Sequence, residues 1–116
     1  MAKKEKTTAQ VRKIVLHDQA YKDIDNIIDF IAQDNQQPLN AIKVGERIFA
    51  TIERIENSPF VFKECEQLVT KSKMYRQASC LSWLIIYKIT STQIFVLAVM
   101  HSARNPSKIK KLRKFK

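Results

Sequence analysis

Residue types able to do chemistry gather at the end of the most apolar stretch of this chain, Leu81–Pro106 (LSWLIIYKITSTQIFVLAVMHSARNP). There, His101 is followed three positions later by Arg104, directly after the run Ile94–Met100. An imidazole titrates near neutrality and can carry a proton. A guanidinium is a fixed cation that can hold an anion in a bidentate grip. A second pair, Tyr75 and Arg76, precedes the stretch. The plain reading stands beside the chemical one: a strand-end histidine held by a local hydrogen bond, solvated arginines, and Arg76 paired with Glu64 or Glu66.

Positioning such residues falls to the strands around them. Trp83, Ile85, Tyr87 and Ile89 alternate with Ser82, Leu84, Ile86 and Lys88, so apolar residues occupy both faces and the strand is expected to be buried on most of its surface. Trp83 and Tyr87 share a face and read as core; a base-stacking role would need them exposed beside cations. Thr90–Gln93 makes a turn, Ile94–Met100 a second strand, and Met74–Ala78 a weaker one before them.

Upstream, Val11, Ile14, Val15 and Leu16 favour a first strand. Asp18 is the expected N-cap of an amphipathic helix bearing Tyr21, Ile24, Ile27, Ile28 and Ile31, ending at Asp34–Gln37. Pro38 suits the first turn of a second helix, which carries Ala41, Val44, Ile48, Ile52 and Ile55, with Ile42, Gly45 and Phe49 beside them. Gly45 predicts close approach of the two helices, and Asn57-Ser58-Pro59 a stop. Phe60–Ser72 reads as a loop packed over the core. In the tail SKIKKLRKFK, Ile109, Leu112 and Phe115 recur at steps of three among basic residues, permitting a short helix. The expected fold is α+β: an N-terminal strand, then an antiparallel helical hairpin packed as one layer on a small antiparallel sheet (β-α-α-β-β-β), with a short basic C-terminal tail or helix. Whether the first strand pairs beside the last or lies at an edge stays open. Residues 1–10 read as a flexible basic tail and 11–116 as a single domain.

The 116 residues are enough for one domain with a core. No apolar run reaches membrane-spanning length, and MAKKEKTTAQ lacks the apolar segment of a secretory signal, so a cytoplasmic protein with no membrane partner is expected. Cys65 and Cys80 have neither metal-ligand spacing nor a nearby histidine, which predicts free structural thiols, no metal and no cofactor. Charge is unevenly spread: net +4 over 1–16, −4 over 17–57 and +10 over 58–116. The basic C-terminal half favours an acidic or polyanionic partner: nucleic acid, ribosome or acidic protein.

This order and these residues resemble the RelE/ParE superfamily of bacterial type II toxins. The resemblance spans roughly Val11 to Leu112. It rests on the first helix ending near Asp34-Asn35, the second running into Ser58-Pro59, Tyr75-Arg76, the strand ending IIYKI, and the strand running into HSARNP, where His101, Arg104 and Pro106 match the ParE-like pattern. RelE-like members cut mRNA on the ribosome. That chemistry needs a proton acceptor for the 2′-hydroxyl, a donor for the leaving oxygen and cations on the phosphate. Here the matching third-strand arginine position falls on apolar Leu84 or Ile85, and Ile109 stands about where a C-terminal tyrosine would be. Tyr75, Arg76, His101 and Arg104 remain as the residues of a reduced nuclease site, the alternative reading. The ParE-like branch implies a protein that binds DNA gyrase without catalysis of its own and is neutralised by a cognate antitoxin. Its target- and antitoxin-binding residues would be Arg76, Trp83, Tyr87, His101, Arg104, Lys108, Lys110, Lys111 and Arg113. A third reading is a degenerate member that only binds nucleic acid or its antitoxin.

Overall fold

A computed structural model describes residues 12–103 and 106–114. The expected tail at 1–10, Val11 of the first strand, Arg104, Asn105 and Phe115 lie outside the described residues. The elements run β1 (Lys13–Leu16), α1 (Asp18–Asp29), α2 (Pro38–Asn57), β2 (Tyr75–Cys80), β3 (Trp83–Ile89), β4 (Gln93–His101) and a short α3 (Pro106–Lys110). The sheet order is β1-β4-β3-β2. β2, β3 and β4 form the expected antiparallel meander. β1 is both the neighbour of β4 and an edge strand. It pairs in parallel, Lys13 with Gln93 through Leu16 with Val96, so the sheet is mixed. A parallel pair needs a long crossover, and the helical hairpin is that crossover.

Each helix buries one stripe. Ala20, Ile24 and Ile27 of α1, and Ala41, Val44, Ile48, Ile52 and Ile55 of α2, pack with Ile85, Tyr87, Ile94, Val96 and Val99 on one face of the sheet. Tyr21, Ile42 and Phe49, expected near these stripes, lie outside them and are exposed. The cap of α1 also differs from expectation. His17 holds it, accepting the Gln19 N–H at its Nδ1 (3.1 Å), and Asp18 is the first helical residue. An acid there still complements the helix dipole. After Asp29 the helix widens into one π-helical turn, Phe30–Asp34, with Asn35 N–H donating to the Phe30 carbonyl. Gly45 marks the close approach of the hairpin: a Cβ there would meet Ile28 Cδ1 at 3.2 Å.

The sheet's other face is covered too, which a single helical layer does not provide. Leu84, Ile86, Leu97 and Ala98 pack under Cys65 and Leu68 of the long loop and under Ile109 and Leu112 of the C-terminal segment. Leu84–Tyr87 are therefore buried consecutively, as the two-faced pattern required. The registers Ile86↔Ala98 and Tyr87↔Val96 leave Leu97 as an extra residue on β4, a bulge that puts Leu97 and Ala98 into the same cluster. Cys65 and Cys80 are buried free thiols, and burial pushes the Cys65 thiol up.

The loop between α2 and β2 is tied down by two side chains. Arg76 donates from Nη1 to the Phe62 (2.9 Å) and Phe60 (3.3 Å) carbonyls and from Nε to the Lys73 carbonyl (3.0 Å). Tyr87, fully buried, donates its hydroxyl to the Pro59 carbonyl at 2.6 Å. Cys65 N–H to Tyr75 O and Gln77 N–H to Lys63 O then satisfy the outer edge of β2, which would otherwise be an open edge. Neither glutamate takes Arg76: Glu64 accepts the Thr70 N–H and Glu66 pairs with Lys63.

Gly45→Ala is expected to raise thermal stability slightly. The helix-propensity gain is about 1 kcal/mol, and the crowded atom is the tip of half-buried Ile28, which can turn aside; a loss above about 1 kcal/mol in chemical denaturation would contradict this. Burial pushes the Tyr87 phenol above its ordinary 10.0, with the Arg76 charge offsetting part of the rise. The folded state thus keeps a proton that the unfolded state loses, so this stabilisation is complete below pH 10.0 and declines as pH rises beyond it. Tyr87→Phe should cost about 1–2 kcal/mol at neutral pH through the orphaned Pro59 carbonyl, and should flatten the fall of stability in urea titrations above pH 10.0.

Candidate functional site

β4 delivers His101 to one end of the sheet. The ring is exposed, its Nδ1 accepts the Ala103 N–H at 3.1 Å, and it meets the half-buried Trp83 edge to face at 5.4 Å. With Nδ1 accepting, the neutral ring carries its proton on Nε2. The adjoining β2–β3 turn is tight, with Leu81 at φ 56°, an uncomfortable backbone for a leucine. Arg104, the intended partner of His101, lies outside the described residues.

Tyr75 and Arg76 sit at the opposite end. Arg76 opposes Tyr87 across β2–β3, whereas His101 opposes Trp83 across β3–β4. Four residues along and two strands across separate Arg76 from His101, roughly 16 Å between Cα positions by strand geometry. Consecutive strand residues also face opposite ways: Tyr75 is buried under the loop and C-terminal segment, while Arg76 lies on the helical face. The described residues therefore do not bring the proton carrier and the cations of a phosphodiester-cleaving site together. Leu84 and Ile85 are buried, and Ile109 is an anchor of the core. Tyr87, proposed from sequence for a binding surface, is enclosed in the core, and Arg76 has three of its donor contacts committed to the loop.

The C-terminal segment is held by Ile109 and Leu112, which leaves Lys108, Lys110, Lys111 and Arg113 exposed; Arg113 also donates to the Val69 carbonyl at 3.1 Å. Lys108 and Lys111 flank a groove of about 360 Å³ floored by Ala98–Met100 and walled by Gln19 and Asp23. β1 ends before this part of β4, and the Asp23 carboxylate accepts the Val99 N–H that no strand reaches (2.9 Å), while Gln19 donates to its other oxygen (2.8 Å). Nothing in the sequence distinguished Asp23 from the other acids of α1 except its place beside Ile24.

Sequence reading also missed a group at the other end of the sheet. Arg12 and Arg76 lie 5.3 and 5.1 Å from the centroid of Phe60, and Arg54 lies 5.2 Å from that of Phe62. These residues come from four segments, so no spacing announces them. Among the described residues no group of three His, Cys, Asp or Glu could hold a metal, and no helix is long and apolar enough to cross a membrane.

The comparisons agree with this architecture. The family model for the ParE toxin of the type II toxin–antitoxin system parDE matches residues 14–106. Comparison with curated proteins returns no match. Among solved structures, the chromosomal ParDE toxin–antitoxin system from P. aeruginosa is similar with a TM-score of 0.65 at 14% identity, covering 79% of this chain and 97% of that one. The E. coli DinJ–YafQ toxin–antitoxin complex is similar at 0.50 and 21% identity, covering 80% and 94%. At these identities the structural likeness is one of fold; the family rests on the match over residues 14–106, and by it the chain belongs to the ParE toxins of type II toxin–antitoxin systems.

Proposed function

We propose that this ParE-type toxin arrests growth by binding DNA gyrase in the cytoplasm, without chemistry of its own, and that a cognate antitoxin neutralises it. The observation that carries this reading is the separation, among the described residues, of those a nuclease would need. His101 stands at one end of the sheet, Arg76 is bound to carbonyls at the other, and Tyr75 is buried on the opposite face. A binding toxin requires no such convergence. It requires exposed, rigidly based contacts, and Lys108, Lys110 and Lys111 on a segment pinned by Ile109 and Leu112 supply them. The solved ParDE and DinJ–YafQ assemblies, each named as a toxin–antitoxin system or complex, support an antitoxin as the second partner. The exposed cations would draw an acidic antitoxin segment at long range and orient it on approach.

The test is gyrase supercoiling of relaxed plasmid with purified toxin. The expected result is dose-dependent loss of supercoiling with accumulation of gyrase-dependent broken DNA. Supercoiling that persists at toxin concentrations sufficient to stop growth would overturn the gyrase assignment. Replacing Lys108, Lys110 and Lys111 by Gln should weaken inhibition about tenfold or more while leaving the fold intact, because the three lysines are exposed and Ile109 and Leu112 hold the segment.

A further inference from the structure

The end of the sheet remote from His101 carries a second group of cations, apart from the lysines of the C-terminal segment. Phe60 lies in the loop after α2, half exposed, with Arg12, just before β1, and Arg76 of β2 both against its ring. Phe62, two residues on, meets Tyr87 edge to face inside the core and carries Arg54 of α2 over its own ring. Three guanidiniums thus surround a two-phenylalanine step that is anchored from beneath by Tyr87. Among the described residues none of the three has a carboxylate within ion-pair distance. Toward the described residues Arg12 donates only from Nε, to the Thr90 carbonyl (2.7 Å), and neither terminal nitrogen is used there. The Arg54 guanidinium makes no hydrogen bond to a described residue, and Arg76 retains one terminal nitrogen with respect to them. Gathering like charges without an acid costs free energy, and stacking on rings recovers only about 0.5–1 kcal/mol for each at an exposed site.

We infer that the Arg12–Phe60–Arg76 and Arg54–Phe62 cluster is a docking site for an acidic peptide segment whose carboxylates alternate with apolar side chains. Guanidinium forks pair two-pronged with carboxylates, and the loss of hydration is small because the planes already lie on aromatic carbon. The apolar half of the match is Phe60 and its neighbour Val61, which is 68% exposed. A nucleic acid strand fits less well. It asks for cations spaced along a track of phosphates and open ring faces on which bases can stack. Here the cations crowd two rings, and the adjacent exposed side chain is aliphatic. The site is also rigid before a partner arrives, since the loop is already bound through Pro59, Phe60 and Phe62 carbonyls, so little ordering entropy remains to be lost. On the proposed function the antitoxin is the natural source of such a segment. The inference rests on that reading for the source alone, and peptide binding can be measured without it.

The experiment is fluorescence anisotropy of the full chain with a labelled peptide of Glu and Leu residues, its Gln/Leu counterpart, and a labelled single-stranded RNA. Arg12→Gln with Arg54→Gln is the informative double variant, because neither side chain holds the loop as Arg76 does; Lys22→Gln with Lys43→Gln, both exposed on the helices, removes the same charge elsewhere. The Glu/Leu peptide should bind at least about tenfold more tightly than its Gln counterpart, lose that advantage in the Arg12/Arg54 variant, and keep it in the Lys22/Lys43 variant. Equal losses in both variants would reduce the effect to net charge and overturn the site. Binding of RNA, but not of the peptide, that depends on Arg12 and Arg54 would overturn the assignment to a peptide. Circular dichroism of each variant separates loss of binding from loss of fold, and supercoiling inhibition, read in parallel, fails or survives independently.

Discussion

The constraint on which the rest of the structure depends is the two-sided burial of β4 and its partner β3. β4 has β1 on one side and β3 on the other, and Val96, Leu97, Ala98 and Val99 are all withdrawn from solvent. A strand apolar on both faces has to be covered twice. The helical hairpin covers one face. The loop carrying Cys65 and Leu68, with the segment carrying Ile109 and Leu112, covers the other. The basic tail is therefore a structural part of the domain, and its lysines are presented from a fixed base.

That double cover decides where function can be. Among the described residues both sheet faces are largely covered, and His101 and Arg76 stand at opposite ends of the sheet. One end holds His101 against Trp83. The other holds the arginine–phenylalanine cluster, and there Arg76 serves mainly as an internal donor that fastens the loop. An interior of this kind suits a protein that works through contacts, with charge setting the rate and orientation of encounter.

Much of this was legible in the residues. The isoleucine stripes of both helices, Pro38 at the start of α2, the close approach at Gly45 and the meander all follow from local periodicity and steric rules, and each holds in the structure. The family is likewise carried by local strings, from Ser58-Pro59 to the terminal HSARNP. What was not legible depends on contacts between distant segments. The parallel seat of β1 and the use of Arg76 on carbonyls instead of on Glu64 or Glu66 leave no periodic trace, and the three-residue spacing of Ile109 and Leu112 does not say which face they cover. The helix cap shows the same limit at short range: Asp18 reads as the cap, but His17 keeps extended backbone and accepts the Gln19 N–H, so the helix begins at Asp18.

The central functional claim is that this toxin acts by binding, and it is carried by the separation of His101 from Arg76 and Tyr75. The most direct measurement maps mRNA 5′ ends by primer extension in cells shortly after toxin induction without antitoxin, beside a His101→Gln variant. Binding-only action predicts unchanged message ends while translation continues, and equal growth arrest by both proteins wherever the variant folds. New cleavage sites within coding regions that vanish in His101→Gln would contradict it and would place a catalytic histidine at the end of β4.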